Sequence, residues 1–288
     1  MQLTGPAPPG AWICPNCKVA VASEFCAGCG ERQVQRRDLT LVGLADQLVR
    51  IFTRVDGRLL RSFGCLIWRP GILTTAFLNG QRKPFIGPFQ IFLVANLMFF
   101  ALQSFSNMKI FSNTLAFRLD GQLWSEYGVE LVTQYLRASG QTFAQYAPVF
   151  DNAVALNAKS LIGLMVPVLA LFPPLVFWRT SRPLALHVVF ALHFYAYVLV
   201  LFCVPMAAVV IDAAFGGTGV MDQGTDDIVS IALLFLLSVY LFRSIGPVYG
   251  ARGALRIFQT LLMTAAAVWI FLIYRFMLLP ITLFTTRG

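Results

Sequence analysis

Over most of the chain the apolar residues do not alternate with polar ones; they run together. Five stretches are apolar over a length that matches or approaches the roughly 20 residues a helix needs to cross a bilayer. They are about Gly87–Phe105, Ser160–Trp178, Leu184–Phe215, Ile228–Phe242 and Ile257–Phe284. The fourth is short at its core. The third and fifth are long enough to tilt, kink or protrude, with Pro205 and Pro280 as the expected kinks. The pattern predicts an all-α membrane protein with about five transmembrane helices.

Ahead of the first run the pattern changes. Leu41, Leu44, Leu48, Ile51, Phe52, Val55, Leu59 and Phe63 recur at helical spacing. The opposite side carries Asp46, Gln47, Arg50, Arg54, Arg58 and Arg61, so the segment reads as a basic amphipathic helix, with Asp38 or Thr40 as its cap and Gly57 as its weak point. Such a helix either lies in the headgroup layer with its arginines among anionic lipids or packs its apolar face on the bundle. Pro70 and Gly71 break it. A second short helix is expected over Gly71–Leu78, ended by Gly80, which delivers Arg82 and Lys83 to the phosphates of the inner surface. Lipid is the expected partner of that basic set; a specific phosphorylated ligand is the sharper alternative.

Between the first two runs lies residues 106–159, expected as the one sizeable external loop. It holds two helical stretches, about Leu123–Ala138 and Thr142–Ala158, split by Ser139-Gly140. Phe143, Tyr146, Phe150 and Val154 form an apolar stripe on the second, which suits a cap over the outer face.

Composition agrees with the runs. The chain is 58% hydrophobic and 12% charged, where soluble domains are about one-quarter charged. The net charge is +9, and its distribution says more than its sum. Residues 1–85 are rich in Lys and Arg. Arg179 and Arg182 fill the 179–183 turn, and Arg243, Arg252 and Arg256 the 243–256 loop, while Asp222, Asp226 and Asp227 lie in or beside 216–227. Basic connections alternate with neutral or acidic ones, the pattern of the positive-inside rule. The expected placement is a bacterial inner (cytoplasmic) membrane, N-terminus cytoplasmic and C-terminus external. A basic balance explained by face anchoring argues against nucleic acid as a partner.

Candidate chemistry concentrates at the start. Residues 1–38 form a Pro/Gly-rich leader and then Cys14-Pro-Asn-Cys17 and Cys26-Ala-Gly-Cys29. Two CxxC knuckles facing each other offer four thiolates in a tetrahedron, which suits structural Zn2+; iron in the same cage is the lesser alternative. Four thiolates leave no open position for catalysis. Gly28 and Gly30 are expected to let the second knuckle turn back. The expected division is therefore a zinc-ribbon head at 1–38, an amphipathic or interfacial arm at 39–85, and a helical membrane domain at 86–288. The ribbon, the helix, Arg69-Pro70-Gly71, Gly80-Gln81-Arg82-Lys83-Pro84 and Pro88-Phe89 in this order resemble a bacterial membrane-protein family of unknown function. The resemblance runs from about Cys14 to Phe100 and implies an architecture, not a mechanism.

Polar residues inside apolar runs are candidates for function. They are Asn96, His187, His193 with Tyr197 one turn on, Asp212 and Arg275. No mid-span acid accompanies the histidines, so interhelical hydrogen bonding is the expectation for His193 and Tyr197. Asp212 and Arg275 are expected at a similar outer level, either paired or with Arg275 snorkelling to headgroups. Cys65 and Cys203 read as buried small apolar side chains. No HExxH, GxSxG or phosphate loop is present. The sequence thus points to a non-enzymatic scaffold or regulator whose head docks a cytosolic protein. A transporter or channel for a small solute or lipid, with Pro167 and Pro173-Pro174 breaking span two, is the alternative, and homo-oligomerisation is left open.

Overall fold

A computed structural model describes residues 11–33, 57–106, 110–111, 113–120, 124–180, 182–217 and 223–286. Arg50 and Arg54, with the first two-thirds of the basic helix, lie outside the described residues. The head is a short antiparallel hairpin, β1 (Trp12–Ile13) on β2 (Ala20–Val21), followed by a bridge between Phe25 and Arg32. The rest is helical: α1 (Arg58–Trp68), α2 (Ile72–Leu78), α3 (Pro88–Ser106), α4 (Leu115–Leu119), α5 (Ser125–Ser139), α6 (Phe143–Leu161), α7 (Met165–Ala170), α8 (Phe172–Val176), α9 (Leu184–Ala214), α10 (Gln223–Tyr249) and α11 (Gly253–Thr285).

Five helical units are long and apolar enough to cross a membrane: Pro88–Ser106, Phe143–Val176, Leu184–Ala214, Asp226–Tyr249 and Gly253–Thr285. This is a membrane protein built as a five-helix bundle. The second unit is α6 to α8 in line, broken by a 3₁₀ turn at Ile162–Leu164. That turn falls two residues after Ser160, where the apolar run begins. The 34 residues of this unit and the 33 of α11 would each extend roughly 50 Å if straight, against a hydrocarbon core of about 30 Å. At the end away from the head the two are stitched by polar side chains. Asn157 Nδ2 donates to Thr282 Oγ1 and Thr285 Oγ1 at 3.1 and 3.0 Å, and the Tyr135 hydroxyl donates to the Thr286 carbonyl at 3.1 Å. The Tyr146 and Thr286 hydroxyls lie 2.7 Å apart. The end of α11 therefore sits opposite the head.

The post of the bundle is α9. It packs along α3 and touches α1, α2, α7, α8 and α10. From Ala185 to Leu199 almost every side chain is buried, which fits a helix that is apolar on all sides.

The short helix expected over Gly71–Leu78 forms, and it is part of the core. Leu73, Thr74, Ala76 and Phe77 of α2 are buried, with Phe77 packed on Ala185 and Val189 of α9. The chain enters this short buried helix at Gly71 and leaves it at Gly80. Its exit is a Schellman turn: Gly80 N–H donates to the Phe77 carbonyl at 3.1 Å and Gln81 N–H to the Ala76 carbonyl at 2.8 Å, with Gly80 at φ 78°. Its entry depends on Gly71, at φ 87°. A Cβ there would stand 2.8 Å from Pro247 Cγ and 2.9 Å from the Ser244 carbonyl oxygen of α10. Gly71→Ala is expected to cost about 2–4 kcal/mol, the left-handed penalty plus overpacking. A lower unfolding midpoint of the purified protein in detergent checks it, and an unchanged midpoint contradicts the close approach of α2 to α10.

Candidate metal centre and its seat on the membrane domain

The two knuckles of the head are built alike. Cys14 N–H donates to the Val19 carbonyl at 2.9 Å and Lys18 N–H to the Cys14 carbonyl at 2.9 Å. Cys26 N–H donates to the Glu31 carbonyl at 2.7 Å and Gly30 N–H to the Cys26 carbonyl at 2.6 Å. Each knuckle reverses through one left-handed residue after its second cysteine, Lys18 at φ 62° and Gly30 at φ 67°. Gly28, which the sequence groups with Gly30, is not in that conformation, and a Cβ on it would meet Cys26 Sγ only at an ordinary 3.9 Å.

This brings Cys14, Cys17, Cys26 and Cys29 together, with all four sulfurs within 4.8 Å of one another. Cys14 and Cys29 are 3.5 Å apart and Cys17 and Cys26 3.4 Å. Disulfides would need about 2.05 Å. A tetrahedron with metal–sulfur bonds of about 2.3 Å has edges near 3.8 Å, so the cluster could hold a metal ion. The thiols already differ. The Cys29 N–H beside Cys26 holds its thiol down to about 7. The Val19 N–H lowers Cys17, but the neighbouring thiols, Cys26 first, together with some loss of solvation outweigh it and push that thiol up to about 12. Cys14 and Cys26 are buried, and with Val21 they make up the small core of the head.

The head is seated on the turn after α2. Gln81 Nε2 donates to the Pro15 carbonyl of the first knuckle at 2.8 Å. Lys83 N–H donates to Glu31 Oε2, beside the second knuckle, at 3.2 Å, and Glu31 is 4% exposed. The Lys83 ammonium lies against Gly30, where a Cβ would collide with it. Each knuckle is thus tied to the GQRK turn that begins the membrane domain.

The basic set divides. Arg58, expected among headgroups, is turned inward: its guanidinium donates to the Arg82 carbonyl at 2.9 Å and to the Phe85 carbonyl. Arg82 places its own guanidinium 5.0 Å over the Phe77 ring. Lys83 faces the head. Arg61 is exposed on α1, in the company of exposed Leu60, Ile67 and Trp68. On the inner side of α1, Ser62 Oγ donates to the Arg58 carbonyl at 2.7 Å and accepts the Ile86 N–H at 3.0 Å.

The intramembrane candidates do not converge. His193 Nδ1 lies 2.9 Å from Thr74 Oγ1, so its partner is the buried helix α2. Tyr197 stacks on Tyr240 at 4.0 Å and donates weakly to the Leu236 carbonyl at 3.5 Å. His187 meets the Tyr249 hydroxyl at 3.0 Å, in a stack with Phe177. Asn96 is half-buried on α3. The Asp212 carboxylate lies against Gly217 at the end of α9, and the Arg275 guanidinium 5.7 Å over Phe271.

One residue the sequence did not single out is Arg118. It is 3% exposed and spends its guanidinium on three carbonyls: Asn113 at 3.0 Å, Arg275 at 2.6 Å and Phe111 at 3.3 Å. Burial, and then the Arg275 charge, lower its pKa to about 10, so it stays protonated at neutral pH. Phe111 is pinned with it and plugs the bundle between Phe99, Phe202, Phe271 and Tyr274. An arginine in a polar loop gives no sign of this; only its place after Thr114, the cap of α4, hinted at order.

Fold and site together define an integral membrane protein of five apolar helices with a four-cysteine cluster at one end. Residues 56–100 match a family described as "Protein of unknown function (DUF3667)". The match spans α1, the buried α2, the GQRK turn and most of α3; the four clustered cysteines lie outside it. No curated protein and no solved structure matches the chain.

Proposed function

We propose that this protein is a non-enzymatic regulator or scaffold of the bacterial inner membrane, with a zinc-ribbon head that is cytoplasmic and a C-terminus that is external. The observation that carries the reading is the seat of the head. Both knuckles are bonded to the turn that joins α2 to the first span, so metal-dependent folding of the head bears directly on the end of the bundle. Zinc is favoured by four sulfur donors with no open position. The orientation is supported by the basic residues at the head-side end, Arg61, Arg69, Arg179, Arg182, Arg243, Arg252 and Arg256. Arg61 with the apolar side of α1, and Arg179 lying 5.3 Å over Trp178, suit contact with anionic headgroups. For a cytosolic protein partner, the head offers exposed Ile13, Val19 and Phe25.

A biotin ligase fused ahead of the head tests this in cells. The wild-type protein is expected to label a defined set of cytosolic proteins. Ile13→Glu with Phe25→Glu is expected to lose that set while the protein remains in the membrane. An unchanged set, or labelling confined to external proteins, contradicts the reading.

A further inference from the structure

Two arginines from distant parts of the chain flank a third on α10, at the head-side end of the bundle. The middle one is Arg243, exposed on that helix. On one flank Arg256 reaches over from α11. Its Nε donates to the Phe242 carbonyl at 2.7 Å and its Nη2 to the Arg243 carbonyl at 3.4 Å, with the guanidinium 4.1 Å over the Phe242 ring. The Arg243 carbonyl is open to it because Pro247, four residues on, has no N–H. Gly246 makes the room, since a Cβ there would stand 2.7 Å from the guanidinium carbon. On the other flank is Arg69-Pro70-Gly71, whose glycine lies against Ser244 and Pro247. At roughly 100° per residue, Arg243 stands between these flanks, about 80° from the face of Phe242 and Gly246 and about 70° from that of Ser244 and Pro247.

The elements that carry these charges do not neutralise them. Residues 57–106 and 228–288 contain no Asp or Glu. Among the described residues neither the Arg69 nor the Arg243 guanidinium has a protein acceptor, and both side chains are exposed. Arg256 keeps Nη1 uncommitted beside them. Like charges gathered in this way repel one another and attract an anion. Inward from Arg243 the same face of α10 turns apolar, with Val239 half-buried and Leu236 42% exposed. Trp68, 74% exposed, stands beside Arg69, where interfacial aromatic residues gather. Positive charge at the boundary above an apolar track within the span matches a phospholipid, whose phosphate and chain are joined, better than a free phosphate.

We propose that this end of α10 binds one anionic phospholipid, its phosphate among Arg69, Arg243 and Arg256 and one acyl chain along Val239 and Leu236. This goes beyond the head-docking reading and does not rest on it. Native mass spectrometry of the purified full-length protein in detergent tests it, with palmitoyl-oleoyl phosphatidylglycerol titrated against the ethanolamine lipid of the same chains. Wild-type protein is expected to retain about one phosphatidylglycerol, at roughly 10-fold lower concentration than the ethanolamine lipid. Arg243→Gln is expected to weaken that binding roughly 5-fold, and Arg69→Gln with Arg243→Gln roughly 25-fold, about 5-fold for each charge near an anionic headgroup. Arg179→Gln with Arg252→Gln removes the same charge from the same end and is expected to bind like wild type. Added phosphatidylglycerol is expected to raise the unfolding midpoint of the wild type and of that control pair, and not of the Arg69/Arg243 pair. Equal retention of the two lipids, or an equal loss in the control pair, overturns the proposal. So does competition by sn-glycerol 3-phosphate at the concentration of the lipid, which would assign the site to a soluble phosphate.

Discussion

Replacing Cys14 and Cys26 by serine is expected to strip the head of metal, from about one ion per chain to almost none by elemental analysis. The two substitutions remove one sulfur from each knuckle, and they are the two buried cysteines of the head. Little else holds this head together. Its core is Cys14, Val21 and Cys26 with Trp12 and Cys29 against them, and its sheet is two residues per strand. In small zinc modules the apparent binding free energy, on the order of 10–16 kcal/mol, is the folding free energy. The consequence is expected to reach the membrane domain. Lys83 N–H donates to Glu31 and Gln81 to Pro15, and both acceptors are positioned by the knuckles. Hydrogen exchange at Lys83 should therefore speed up in the double variant, and in the wild type after chelation, with recovery on adding zinc to the wild type only. Exchange at Lys83 that ignores the metal would separate the head from the turn and remove the ground for a coupling role.

Arg118→Ala is expected to be among the most destabilising single changes outside the cysteines, about 3–5 kcal/mol. The guanidinium donates to the Asn113, Arg275 and Phe111 carbonyls in a site that is 3% exposed. A hydrogen bond from a charged donor contributes about 1.5–3 kcal/mol, and a buried acceptor left alone costs about 1–3 kcal/mol. The cost of burying the charge offsets part of that sum. The Arg275 carbonyl lies one residue before the carbonyl that Pro280 leaves without an N–H, so the backbone of α11 depends on outside donors in this region. Arg118→Lys, which keeps the charge but not the three-way fork, is expected to recover less than half. Unfolding midpoints in detergent check both. A midpoint for Arg118→Ala equal to wild type would show that Phe111 and its ring partners hold the segment alone.

What could be read from the chain depended on whether its cause was local. Run length gives a span, because a helix satisfies its own backbone wherever it lies. The five spans and the pair of helices around Gly140 were accordingly legible. Paired CxxC spacing gives a knuckle, because two sulfurs three residues apart share one turn. The Schellman exit at Gly80 was legible for the same reason, since a left-handed glycine acts on its own neighbours. The ends of the second and fifth spans were less so. There Asn157, Tyr135 and Tyr146 reach Thr282, Thr285 and Thr286, more than a hundred residues away.

The fate of each arginine was not local. Arg58 and Arg61 stand three apart on one helix, yet one is bonded to the carbonyls of the GQRK turn and the other faces outward. Only the position of that turn decides which. The same holds for α2. ILTTAFL reads as a short interfacial helix and is buried because Gly71 admits it to within van der Waals distance of Ser244 and Pro247, with His193 waiting on α9 for Thr74. By itself the sequence determined an all-helical membrane protein of five spans, basic at one end, with four cysteines spaced to share an ion. The tertiary structure alone decided that the head sits on the GQRK turn, that α2 is buried in the bundle, that Arg118 is a buried clamp and that Arg69 and Arg256 flank Arg243 on α10. Those are contacts between residues far apart in the chain, and no short-range preference encodes which surfaces meet.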